Sequence, residues 1–117
     1  MKANQYQLLA MKTANPTNNK LLNSALGLCQ ESGEVAKIIK AYEFQGDELN
    51  KESVMNELGE MCWFIVLMCT NLRISFDEVL EMNIRNLIKK HPKDFKDLKD
   101  LNEYKKPLED EYSMGAD

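Results

Sequence analysis

Residues 21–42 read Leu21-Leu-Asn-Ser-Ala-Leu-Gly-Leu-Cys-Gln-Glu-Ser-Gly-Glu-Val-Ala-Lys-Ile-Ile-Lys-Ala-Tyr42. Leu21, Leu22, Ala25, Leu28, Val35, Ile39 and Tyr42 recur with helical rather than alternating spacing. Asn18 or Asn19 is placed to cap this helix. Asn15-Pro16 separates it from an earlier one, Asn4 to about Lys12, because the residue before proline disfavours the helical region. A loop around Gly46 follows, and then Asn50 as N-cap of a third helix, Lys51 to Asn71. Ser75-Phe-Asp-Glu78 has capping-box spacing and opens a fourth helix, Phe76 to Lys90. Lys89 and Lys90 suit its C-terminal dipole, and Pro92 follows the stop. No segment reads as a strand. The expected fold is all-α, with a four-helix core, a short N-terminal helix and a C-terminal extension.

Two acid pairs interrupt the apolar helices: Glu31-x-x-Glu34 on the second and Glu57-x-x-Glu60 on the third. A three-residue step puts both acids of a pair on one helix face. Exposed pairs of this kind are common on solvated faces. Here, however, Glu31 lies among Leu28, Cys29 and Val35, and Glu57 and Glu60 run straight into Trp63 and Phe64. Gly27, Gly33 and Gly59 accompany the pairs, and a mid-helix glycine costs about 1 kcal/mol against alanine. Close approach of another backbone or a ligand would explain that cost. Antiparallel packing of the two helices would bring the pairs to one level. Four acids there would repel unless a cation lay among them, and hard oxygen ligands point to Mg²⁺, with Mn²⁺ as an alternative.

Composition narrows the function classes. The chain has 117 residues, 44% hydrophobic and 29% charged, and suits one domain. Its net charge of −4 and the lack of a basic stripe argue against nucleic-acid binding. Met61 to Cys69, the longest apolar run, falls far short of the ~18–20 residues that cross a bilayer, and no signal peptide is visible. The expectation is a soluble cytoplasmic protein with no membrane partner. Cys29, Cys62 and Cys69 read as buried free thiols. Di-iron carboxylate bundles need Glu-x-x-His on two helices, whereas the single histidine, His91, stands at a helix end beside Pro92.

Ala25-Leu-Gly-Leu-Cys-Gln-Glu-Ser-Gly-Glu34, with Asn56-Glu-Leu-Gly-Glu-Met-Cys-Trp-Phe64, resembles the MazG-like all-α nucleoside triphosphate pyrophosphohydrolases. The family pattern is E-x-x-E, a spacer, then E-x-x-D, and the resemblance runs to about Phe95. It implies a helical domain over residues 1–95 and a charged, partly flexible extension over 96–117. It also implies that Glu31, Glu34, Glu57 and Glu60 are magnesium ligands. The implied reaction converts a nucleoside triphosphate to monophosphate and pyrophosphate. Asn83 matches the asparagine of the family's N-x-x-K-x-x-x-R, near the nucleotide. Three positions depart: Glu60 replaces aspartate, Asn86 the lysine and Lys90 the arginine, which keeps charge but loses the bidentate fork.

On this reading Glu31 orients or deprotonates the attacking water, and Lys40, Arg85 or Lys90 stabilises the leaving pyrophosphate. Each of these cations also reads as solvated surface. Trp63 is a candidate to stack on the base, against a role in core or interface. Family members assemble as dimers or tetramers, so a homodimer or homotetramer is expected to enclose the base. The alternative from a different class is a non-catalytic helical regulatory or adaptor module with the same fold.

Overall fold

Asn50 and Ser75 begin the two helices that follow the sequence expectation most closely. In the computed structural model, which describes residues 1–15 and 21–96, the Ser53 N–H donates to Asn50 Oδ1 (3.1 Å). The Glu78 N–H donates to Ser75 Oγ (3.1 Å) in the same way. These are side-chain caps for the orphan donors of a helix start. The described elements are α1 (Ala3–Ala10), a 3₁₀ turn (Met11–Thr13), α2 (Leu21–Phe44), α3 (Lys51–Asn71), α4 (Phe76–Lys90) and α5 (Pro92–Phe95). The fold is all-α, with no strand among the described residues. Pro16, the capping candidates Asn18 and Asn19, and most of the 96–117 extension lie outside the described residues.

Two helix ends use the left-handed region. Gly46, at φ 75°, follows α2, where a glycine is unstrained. Arg73, at φ 59°, follows α3. There the Ile74 N–H donates to Cys69 O (2.9 Å) and the Arg73 N–H to Thr70 O (3.1 Å), the bond pair of a Schellman stop. This tight stop turns the chain by 102° into α4.

The corner is clasped from α1. Gln7, 1% exposed, donates from Nε2 to Thr70 Oγ1 and to Ile74 O, both at 3.1 Å. Its Oε1 accepts from the Phe76 N–H (2.8 Å), and Asn4 Oδ1 accepts from the Asp77 N–H (3.0 Å). Gln7, Asn4 and Ser75 thus satisfy three successive donors at the start of α4. Among the described residues the buried apolar ones are Val66, Leu67 and Cys69, on α3 just before the corner, and Ile88, near the far end of α4.

Three sequence expectations change. Cys29 is exposed and Cys62 half-buried, so Cys69 alone of the three is buried; all are free. Leu21, Leu22 and Tyr42 of the α2 stripe are exposed, as are Met55 and Leu58 on α3. The buried residues of α2 are instead Ser24 and Gly27. The reason is steric: a β-carbon on Gly27 would fall within the Phe64 ring, so α2 turns its smallest residues to α3. Gly33 and Gly59 differ from Gly27, since a β-carbon at either meets nothing within 4 Å. Among the described residues no single helix is long and apolar enough to cross a membrane.

Candidate functional site

Helices α2 and α3 form the most extensive contact in the molecule. Gly27 meets Phe64 and, one turn further along α2, Glu31 meets Glu57, so the two helices run antiparallel. Glu31 and Glu57 are half-buried, whereas Glu34 and Glu60 are exposed. Two carboxyls hydrogen-bond only by sharing a proton, and it is the Glu31 carboxyl that is raised by its contact with Glu57. The Glu31 carboxyl is pushed up to about 7. The largest cause is that hydrogen bond, followed by burial and then by the charges of Glu57, Glu60 and Glu34. No basic side chain is among the charges acting on it.

Among the described residues, no three acidic, histidine or cysteine side chains converge closely enough to hold a metal ion. The arrangement is a tight pair with two outlying acids. Its chemistry still fits a hard divalent cation, because every donor is a carboxylate oxygen. A shared proton here relieves the repulsion that a cation would otherwise relieve. The exposed outlying acids have rotamer freedom that the inner pair lacks.

Residues 19–95 match the family described as the MazG nucleotide pyrophosphohydrolase domain. The chain belongs to this family. Comparison with curated proteins and with solved structures gave no match. The MazG match spans both acid pairs, α4 and α5.

Around the MazG acid cluster, the other sequence candidates are dispersed. Lys40 is exposed on α2, beyond Glu34 toward the α2–α3 loop. Trp63 is half-buried and its indole N–H is engaged, donating to Thr13 Oγ1 (2.8 Å) and Ala10 O (3.3 Å). Its ring stands edge-on to Phe64 at 5.1 Å. These contacts tie the 3₁₀ turn to the acid-bearing helix.

Asn83 and Lys90, two turns apart on α4, share one exposed face. Arg85 lies on the other side of α4, half-buried, with Nε and Nη1 buried and without a hydrogen-bond partner among the described residues. Glu78, on the same side as Arg85, has Oε1 in the same condition. Burial pushes the Glu78 carboxyl up, the Ser75 backbone pulls it partly back, and Glu81 adds to the rise.

One neighbour of the acids, Tyr6 on α1, escaped the sequence reading. Its phenol is pushed up by burial first, and then by Cys62 and Glu60. Its ring lies 6.4 Å from that of Phe76. Nothing in the local sequence signals this proximity, because it depends on how α1 docks against α3.

Proposed function

We propose that this chain hydrolyses a nucleoside or deoxynucleoside triphosphate to the monophosphate and pyrophosphate. The reading rests on one observation: in a MazG chain, carboxyls from two facing helices meet as an inner pair, with two further acids in electrostatic reach. Glu31 and Glu57 would hold Mg²⁺ from the inner positions, and Glu34 and Glu60 from the outer ones; Mn²⁺ has the same preference for oxygen. When bound, the cation neutralises phosphate charge and acidifies the attacking water.

The chain's own residues supply the rest. Glu31 would accept the water proton on a side-chain oxygen. Lys40, Arg85 and Lys90 are the cations proposed to meet the leaving pyrophosphate, Asn83 to contact the nucleotide and Trp63 to face the base. None of the three cations acts on Glu31 within one chain, and α4 packs on α1 and α3. A homodimer or homotetramer is the arrangement that would bring α4 side chains to an acid cluster.

The surface supports that arrangement. An apolar cavity of about 230 Å³, lined by Ile39, Leu49, Val54, Met55, Leu58 and Lys51, opens beside Glu57 on the α2–α3 hairpin. Leu26, 58% exposed, is a separate bare position nearer the start of α2, while Met55, 68% exposed, leaves the cavity lining open to solvent. A second chain would cover it and deepen the site.

Pyrophosphate release from a panel of canonical and modified triphosphates with Mg²⁺ tests the reaction. Wild type should turn over at least one of them, and Glu57→Gln should lower kcat at least ~100-fold with unchanged circular dichroism. No turnover on any substrate, together with a thermal midpoint indifferent to Mg²⁺ and Mn²⁺, would sink the proposal and leave a non-catalytic helical module.

A further inference from the structure

Phe64 stands so close to Gly27 that a β-carbon there would fall within its ring. The ring therefore sets how near α2 and α3 come at this level. One turn along α2 from Gly27, and two turns back along α3 from Phe64, the same faces carry Glu31 and Glu57. Phe64 is itself braced. The Trp63 ring meets it edge-on, with centroids 5.1 Å apart and planes at 88°. Trp63 is held in turn, because its indole N–H donates to Thr13 Oγ1 (2.8 Å) and Ala10 O (3.3 Å). The Thr13 hydroxyl donates to Ala10 O (2.7 Å), which fixes the two acceptors relative to each other. Thr13 precedes the residues of the MazG match.

We infer that Thr13 and Trp63 are positioning residues for the inner acid pair, acting through Phe64 on the separation of α2 and α3. Without the Thr13 hydroxyl the indole is free to turn, and Phe64 loses the ring that holds its tilt. A tilted Phe64 levers α2 away from α3, and the two inner carboxyls part. The far end of α1 is fastened separately by Asn4 and Gln7, so a defect at Thr13 does not release the helix. The inference rests on the proposal that these acids hold Mg²⁺ or Mn²⁺.

Mn²⁺ binding, followed by calorimetry or by paramagnetic resonance of the free ion, reads the acid pair without turnover. Thr13→Val removes only the hydroxyl and should weaken Mn²⁺ about fivefold, while Thr13→Ser should keep the wild-type affinity. Trp63→Phe removes the N–H and should weaken binding at least as much. Asn4→Ala takes one bond from the far end of α1 and should leave the affinity unchanged. Unchanged affinity in Thr13→Val or Trp63→Phe, or an equal loss in Asn4→Ala, overturns the inference. Trp63 is the single tryptophan, so saturating Mg²⁺ should also alter the chain's indole emission. Metal that binds without altering it overturns the relay. The expected Mn²⁺ pattern in a chain that turns over no triphosphate removes the hydrolase reading and keeps the relay; a wild type that binds no Mn²⁺ removes both.

Discussion

Gln7 makes three hydrogen bonds from a site that is 1% exposed, and no sequence pattern marks it as different from Gln5. Gln7→Ala leaves the Phe76 N–H and the Ile74 carbonyl without their partner. A loss of about 2–4 kcal/mol in urea unfolding is expected, several times that of an ordinary surface change. Glu31 is legible in another way: its place beside Glu34 in an apolar helix marks it, but not the proton it shares. Its folded-state pKa of about 7 lies above the ordinary 4.5, so between these values the folded chain keeps a proton that the unfolded chain has released. The destabilisation is absent below about 4.5, grows as pH rises and is complete above about 7. In EDTA the thermal midpoint should therefore fall from pH 5 to pH 8. Glu31→Gln should flatten that slope, and Mg²⁺ should raise the midpoint of the wild type most at the upper end. A midpoint that climbs with pH in EDTA would contradict the shared proton.

At the scale of the element, helix starts were more legible than helix faces. Asn50 and Ser75 announce α3 and α4 because a cap is a local bond between a side chain and a donor three residues on. Which side of α2 meets α3 is not local, and the apolar stripe misled because the closest approach is made through Gly27 against Phe64. The three glycines, alike in sequence, should therefore separate by experiment. Gly27→Ala must displace the Phe64 ring and should cost about 1–3 kcal/mol. Gly33→Ala and Gly59→Ala meet open space and should each raise the free energy of chemical unfolding by up to about 1 kcal/mol. Equal effects at all three positions would remove the distinction. The acid pairs were readable from spacing, yet their partition into an inner and an outer pair needed the register of one helix against the other.

For the whole molecule, three of the four buried apolar residues among those described lie at the α3 end of the corner, while the α2–α3 hairpin leaves large side chains in water. The proposed assembly of the 13.5 kDa chain would resolve that imbalance. Light scattering at micromolar concentration should give a multiple of the chain mass, and Leu26→Asp with Leu58→Asp should reduce it. A wild-type mass of one chain would count against a shared site. The clasp also bears on biosynthesis. Asn4 and Gln7 are translated before the groups they bind, which lie 63 to 73 positions later. The α2–α3 hairpin needs only its own short loop and can close first. The first helix can meet Trp63 and Thr70 as soon as α3 exists, but the Asn4 and Gln7 bonds to the Phe76 and Asp77 N–H groups wait until the fourth helix has been synthesised.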